Sequence, residues 1–324
     1  ARMSEENIVD EKAAYLATTA GAQAEAIRAA EATCPRPIPT GLAHVDRMLD
    51  GGFDYGKLYV LASAPGMGKT TLADQIAVSI SSHGHDVIYV SLAEDTIDLM
   101  IKGISRCGLE ISGDNAITTW QLDGAYRGDR RYADFSDAQR TTLELARARY
   151  AKRAEKLYIV DIPISMDELE SIVASRETLT GSKPFVVIDF LQLLSLIGES
   201  DKQKCLSLSD RDNNNVMRLK ILAFKHKIPM LILTSVCNTS YYTSVSLESL
   251  SHAGGIEYAA DVVLGLQPVE YSSNDKRAGK RAMAETMAKD VREMSLSCVK
   301  NRDGGLGEVA LRYHAAYNFF EEMK

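Results

Sequence analysis

The sequence predicts an α/β protein with a mainly parallel central sheet, and three observations lead there. Short apolar runs rich in Val, Ile and Leu alternate with helix-patterned stretches from residue 40 onward. Runs that are apolar throughout suit strands covered by helices on both faces, the usual setting of parallel strands. The segment Ser63-Ala-Pro-Gly-Met-Gly-Lys-Thr-Thr71 lies directly between the first such run and the first helix. A third run, Phe185-Val-Val-Ile-Asp189, ends on a carboxylate.

Taken in order, residues 5–33 are rich in Ala and Glu and lack proline, which favours a helix. Ile8, Ala13, Leu16, Ala20, Ala24 and Ile27 give it only a narrow apolar stripe, so it should lie on another surface, of its own body or a neighbouring subunit. Pro35, Pro37 and Pro39 bias their predecessors away from helix. The expected organisation is therefore a helical arm over 1–34, a Pro-rich linker over 35–40 and one large domain over 41–324. Within that domain strands are expected at 57–63, 86–91, 157–160, 184–189, 229–234, 261–266, 297–300 and 307–313. Helices are expected at 69–82, 96–105, 136–152, 166–175 and 276–292. The polar stretches 198–212 and 238–247 read as long loops.

Composition narrows the function classes. Of 324 residues, 25% are charged and 45% hydrophobic, which excludes wholesale disorder and disulfide-stapled miniproteins. Lys and Arg number 37 against 44 Asp and Glu, a net charge of −7, so a globally basic nucleic-acid footprint is absent. No run approaches the ~18 apolar residues of a membrane span, and the polar, acidic first residues are unlike a secretory signal. A cytoplasmic protein with no membrane partner is expected. Five scattered cysteines without a CxxC pair suit reduced thiols rather than zinc or disulfides.

The strongest chemical signal is the Gly-rich turn. Glycines at 66 and 68 let successive backbone N–H groups point at phosphate oxygens, and the following helix N-terminus adds its dipole. Residues Ala64, Pro65, Gly66, Met67, Gly68, Lys69, Thr70 and Thr71 are thus the expected nucleotide contacts. Lys69 would reach the β- and γ-phosphates, and the Thr70 hydroxyl would ligate Mg²⁺. The strict pattern wants Gly at position 63, where this chain has Ser. Asp189, at a strand end beside that loop, is the second candidate for the magnesium, with strand-end capping as the alternative. Glu94 is the candidate base for the attacking water, and Asp95 the better helix cap. Lys300 and Arg302 flank a single residue, so strand alternation puts both on one face. They read either as a solvated edge or as phosphate contacts. Residues 276–302 hold eight Lys/Arg and three Asp/Glu, a solvated helix face or a local nucleic-acid contact. The Arg-rich stretch 127–153 reads as solvated helix and Trp120 as packing. Tyr241 and Tyr242 are weak candidates for base stacking.

Several of these segments, together with Thr40-Gly-Leu-Ala-His-Val-Asp46, Val187-Ile-Asp-Phe-Leu-Gln-Leu193 and Leu250-Ser-His-Ala-Gly-Gly-Ile-Glu-Tyr-Ala-Ala-Asp261, resemble DnaB-type replicative helicases over about residues 38–316. The resemblance implies a RecA-like P-loop motor that binds ATP and Mg²⁺, assembles as a homo-hexameric ring, hydrolyses ATP at subunit interfaces and moves on single-stranded DNA, with a helicase loader or primase as a further partner. Residue by residue, it implies phosphate and metal roles for Lys69, Thr70 and Asp189. Glu94 matches the catalytic glutamate with a one-residue offset, since the family reads Ser-Leu-Glu where this chain reads Ser-Leu-Ala-Glu. Lys300 and Arg302 match cations supplied in trans. Two departures stand out: Val236 replaces the family's glutamine after the strand, and only the arm before Pro35 stands where the family has an N-terminal helical domain. That arm resembles the family's linker helix, which docks on a neighbouring subunit. The alternatives are a recombinase- or clock-protein-like ATPase that does not unwind, and a relative that only binds nucleotide.

Overall fold

Nine strands form one sheet in the order β3-β2-β4-β5-β1-β6-β7-β8-β9. The computed structural model describes residues 35–130, 134–194, 208–253, 255–270 and 276–323. The helix expected over 5–33 and most of the loop expected over 198–212 lie outside them. Contacts group the chain into two units that divide between Arg36 and Pro37. The second unit opens with Ile38, buried and bridged to Phe53, and a short helix α1 (Ala43–Met48).

Strands β1 (Leu58–Ser63), β2 (Val87–Ser91), β3 (Leu157–Val160), β4 (Phe185–Asp189), β5 (Met230–Ser235) and β6 (Val262–Pro268) all run parallel. Their side chains are buried along the whole of β1, β2, β4 and β6, as continuous apolar runs require. The register places Ser63 opposite Ser235 and Ser91 opposite Asp189. The carboxyl ends of β1, β2, β4 and β5 thus share one edge, where open α/β sheets bind ligands. The remaining strands, β7 (Val291–Asn301), β8 (Gly307–His314) and β9 (Phe319–Glu322), add antiparallel.

The helices begin where short polar side chains can cap them. In α2 (Lys69–Ser82) the N-cap is instead Gly68, in a left-handed conformation at φ 90°. Asp95 caps α3 (Thr96–Ile111) by accepting the Asp98 N–H at 2.8 Å, as expected. Reciprocal Ser/Thr–Gln/Glu boxes start α4 (Thr119–Tyr126), α5 (Asp137–Arg153) and α6 (Met166–Thr180). A single turn, α7 (Leu191–Leu194), follows β4. Beyond it come α8 (Leu208–His226) and α9 (Gly255–Ala259). The polar stretch expected as loop to residue 212 is therefore helical from Leu208.

One stretch departs from expectation. The helix predicted over 276–292 ends early as α10 (Lys276–Met287), and β7 starts at Val291 rather than 297. The cations masked a period-two pattern: Met294, Leu296 and Cys298 are all buried on one face. Helix α10 lies so close to the 238–247 segment that a Cβ at Gly279 would meet the Tyr242 carbonyl oxygen at 1.7 Å. Tyr241 packs against the main core, which takes it away from base stacking. Trp120, expected as packing, is 54% exposed on α4. Cys107, Cys237 and Cys298 are buried free thiols, and no helix among the described residues is long and apolar enough to cross a membrane.

Candidate nucleotide site

The phosphate loop leaves β1 at Ser63, and two positive-φ glycines shape it: Gly66 at 77° and Gly68 at 90°. A side chain at 68 has no room, because a Cβ there would lie 2.9 Å from the Phe320 ring and 3.2 Å from Tyr313. Ala64 and Met67 are buried while Pro65 and Gly66 are exposed, so the loop is anchored at its two ends and open between them.

Lys69 folds back under this loop. Its Nζ donates to the Ser63 carbonyl (3.1 Å), the Ser63 hydroxyl (3.0 Å) and the Ala64 carbonyl (3.3 Å). The serine standing where the strict pattern wants glycine therefore supplies a third acceptor that holds the lysine. Burial lowers the Lys69 pKa to about 8, opposed by the Asp189 charge. A desolvated ammonium held only by neutral oxygens gains from an incoming anion.

Asp189 is 2% exposed. Burial raises its pKa to about 6, against hydrogen bonds from the Thr70 and Tyr89 hydroxyls, with Glu94 raising it further. The Tyr89 hydroxyl donates to Oδ2 at 3.0 Å. Thr70 and Asp189 thus meet as the two sequence-predicted metal ligands. Both are hard oxygen donors, and Mg²⁺ in phosphate sites takes few protein ligands and completes its shell with phosphate and water oxygens. The pair fits such an ion, while no group of three or more His, Cys, Asp or Glu able to hold a metal exists among the described residues.

Glu94 sits on the same edge, its backbone carbonyl accepting from the Ser91 hydroxyl at 2.5 Å. Both carboxylate oxygens are held by Lys102 from α3. A spacing of eight residues carries no helical signature, so Lys102 was not a sequence candidate. Thr71 is buried, and its hydroxyl donates to Asn318 Oδ1 at 2.7 Å, which leaves its backbone N–H for a phosphate. Val236 is 3% exposed, its N–H bound to the Ser63 carbonyl at 3.2 Å. Gln192 donates to Thr234 at 2.8 Å, and its amide oxygen is buried without a partner.

The predicted cation pair lies elsewhere. Lys300 donates to the Glu257 (2.8 Å) and Ala260 (2.6 Å) carbonyls, and Arg302 to the Tyr258 carbonyl (2.8 Å). Arg302 also faces Asp261 at 3.5 Å. Burial and the neighbouring Arg302 lower the Lys300 pKa. Both side chains cap the C-terminal end of α9, where cations meet the negative end of the helix dipole. The Arg302 N–H binds the Asp261 carbonyl, and the Asp261 N–H binds the Leu58 carbonyl. Arg302 is therefore level with the start of β1, whereas the phosphate loop leaves its end, about 17 Å away at ~3.3 Å per residue.

A glycine-shaped anion cradle on the carboxyl edge of a parallel sheet, with a buried lysine and a hydroxyl–carboxylate pair beside it, defines a nucleoside-triphosphate-binding α/β protein. Residues 37–322 match the DnaB-like helicase C terminal domain family, and the chain belongs to that family. The replicative DNA helicase DnaB of Helicobacter pylori (strain J99) is 25% identical over 313 residues, covering 88% of this chain and 60% of that protein. The replicative DNA helicase DnaB of Treponema pallidum is 27% identical over 289 residues, covering 87% of this chain and 55% of its own length. The chain thus spans little more than half the length of these relatives. Among solved structures, a helicase-sized ATPase domain superposes with a TM-score of 0.72 at 21% identity, covering 98% of this chain and 99% of that one. A DnaB-like replicative helicase, described with its interactions with primase, gives 0.73 at 20% identity, covering 95% of this chain and 67% of that one. The fold is accordingly RecA-like.

Proposed function

We propose that this chain is the motor of a ring-forming, ATP-driven DNA helicase or translocase of DnaB type. The observation that carries this reading is the separation of the two halves of the catalytic set. Lys69, Thr70, Asp189 and Glu94 share the carboxyl edge of the sheet, while Lys300 and Arg302 lie toward its other end. The cations cannot serve their own phosphate loop, so they serve a neighbour's, in a homo-hexameric ring as the family resemblance implies.

Within one interface each group has a distinct task. The loop N–H groups of residues 64–71 and Lys69 hold the phosphates. A bound Mg²⁺, held by Thr70 and Asp189, supplies charge neutralisation at the β- and γ-phosphates. Glu94, released from Lys102, orients the attacking water and takes its proton. Arg302, released from the Tyr258 carbonyl, meets the charge that develops on the transferring group, with Lys300 beside it. Single-stranded DNA would run through the ring, and a loader or primase would act on its outside. A mainly apolar cavity of about 300 Å³ between α3, α4 and α5, lined by Ile97, Met100, Leu122 and Tyr126, suits the arm of residues 5–33 from another copy.

The test pairs two dead variants. Lys69→Ala and Arg302→Ala, each inactive alone, should regain ATP hydrolysis when co-expressed, because some interfaces then join an intact loop to an intact arginine. Stimulation of that hydrolysis by single-stranded DNA, and strand displacement on a fork, extend the test to the DNA motor. No regained activity in mixed oligomers overturns the shared site. Hydrolysis without displacement would favour the second reading, an ATPase of recombinase or clock-protein type. The specific observation for that reading is Val236, buried and apolar where the family has glutamine.

A further inference from the structure

We infer that Asn318 is a positioning residue that sets the phosphate-loop helix against the helix following the catalytic carboxylate. The inference rests on the nucleotide-site reading above and adds a residue to it. Asn318 ends the turn between β8 and β9 at φ 50°, a left-handed conformation that asparagine tolerates better than most residues. Its side-chain oxygen accepts from the Thr71 hydroxyl (2.7 Å) and the Tyr313 hydroxyl (3.1 Å). Its side-chain nitrogen donates to the Thr119 hydroxyl (2.9 Å). Its backbone carbonyl accepts from Arg106 Nη1 (3.1 Å). One residue therefore joins α2, α3, α4 and β8.

Each partner leads to the active site. Thr71 directly follows Lys69 and Thr70. Arg106 lies on α3, which begins two residues after Glu94, and its other nitrogen donates to Asp74 of α2 at 2.7 Å, with both side chains buried. Next to Asn318, the Gln75 amide of α2 pairs with both the N–H (2.8 Å) and the carbonyl (2.7 Å) of Phe320. The stacked Tyr313 and Phe320 rings form the floor beneath Gly68. Asn318 also lines a cavity of about 310 Å³ with Glu94, Lys102 and Trp120. The β8–β9 turn thus clamps the residue after the metal-ligand threonine and the helix after the base in one set of bonds. Removing the Asn318 side chain leaves the buried Thr71 hydroxyl seeking another acceptor, and α2 can shift relative to α3. Misplacement of loop and base by a fraction of an ångström is enough to change turnover.

Two substitutions separate positioning from general stability. Asn318→Gly keeps the left-handed turn and removes all three side-chain bonds. Asn318→Asp keeps the turn and an acceptor for Thr71 and Tyr313, and the Thr119 hydroxyl can turn to donate to it. Steady-state ATPase kinetics and titration with a fluorescent N-methylanthraniloyl ATP are measured on the full chain, with Lys69→Ala as the binding-dead control. The expected result for Asn318→Gly is a KM for ATP raised about fivefold or more, with a matching loss of analogue affinity, and Asn318→Asp within about twofold of wild type. A purely structural role lowers the active fraction, and hence the apparent kcat, without moving KM. If Asn318→Gly fails to fold, Asn318→Ser, whose hydroxyl is too short to reach Thr71, carries the same expectation. A wild-type KM in the glycine or serine variant, or an aspartate variant as impaired as glycine, overturns the inference while leaving the nucleotide site intact. Wild-type protein that binds no Mg-ATP overturns both.

Discussion

The two ends of the sheet hold their charges in opposite ways. At the carboxyl edge, Lys69 and Asp189 are deeply buried, and their neighbours are fixed by turns and strand ends: Ser63 under the lysine, Thr70 and Tyr89 on the carboxylate. At the other end, Arg302 keeps a side chain 49% exposed and rests mainly on backbone carbonyls of α9. The first arrangement is preorganised: nothing needs to move for phosphates to replace the carbonyls around the lysine. The second is held by neutral acceptors and one carboxylate at 3.5 Å, contacts that an exposed guanidinium can exchange for a phosphate at small cost. A charge that must reach a neighbouring subunit is stored loosely, and one that waits for its ligand is stored tightly.

That contrast is broken first at Lys69. Lys69→Ala should abolish binding of the fluorescent nucleotide as well as hydrolysis, with turnover down at least ~100-fold, equivalent to about 2.7 kcal/mol of barrier. Equilibrium titration and ATPase rates check it. Arg302→Ala should separate the two quantities. Nucleotide affinity should stay within about twofold of wild type while kcat falls by on the order of 10³, the range for a cation that meets the transferring phosphoryl group. Equal losses of affinity and rate would place Arg302 in ground-state binding and weaken the contrast between the two ends.

Asp189→Asn sharpens the comparison because it should move two observables in opposite directions. Loss of the metal-side carboxylate should cut hydrolysis by about 100-fold or more. Stability without Mg²⁺ or nucleotide should rise at neutral pH. The folded-state pKa of about 6 lies above the ordinary 3.8, so the fold favours the neutral carboxyl and this stabilisation is lost as pH rises through 6. An amide removes that cost, on the order of 1–3 kcal/mol, which thermal denaturation should report as a Tm higher by about 2 °C or more. An unchanged or lower Tm would show that the Thr70 and Tyr89 hydroxyls fully compensate the buried charge.

Legibility in the sequence follows contact range. The phosphate loop, Asp95 as a cap and Asp189 at a strand end were readable because their geometry is set by residues a few positions away. The Lys300–Arg302 pair was readable as two side chains on one strand face, though not its α9 carbonyl partners some 40 positions upstream. Asn318 was invisible: its partner Thr71 is 247 positions away, and nothing local distinguishes an asparagine in a turn from a catalytic brace. Strand β7 was misread because cations on both faces hid the buried Met294, Leu296 and Cys298. Ser63 was read as a missing glycine, and only the folded loop shows its hydroxyl under Lys69.

The smallest expected effect tests whether Glu94 belongs to the tight end or the loose one. Its carboxylate is held on both oxygens by Lys102, yet the pair is partly open, with side chains 27% and 15% exposed. A partly exposed ion pair is worth roughly 0.2–1 kcal/mol, and it must open before Glu94 can take a proton from water. Lys102→Gln keeps the side-chain length, removes the charge and relieves the clamp. The basal rate of ATP hydrolysis should then rise by about threefold, or ~0.65 kcal/mol, the only one of these substitutions expected to speed the enzyme. The KM for ATP should stay within about twofold, since Lys102 contacts the base and not the phosphate loop. A fall in kcat of the same size would mean that the lysine orients Glu94 for the attack, which would make the carboxylate as preorganised as Lys69 and extend the tight end of the sheet to the whole of its carboxyl edge.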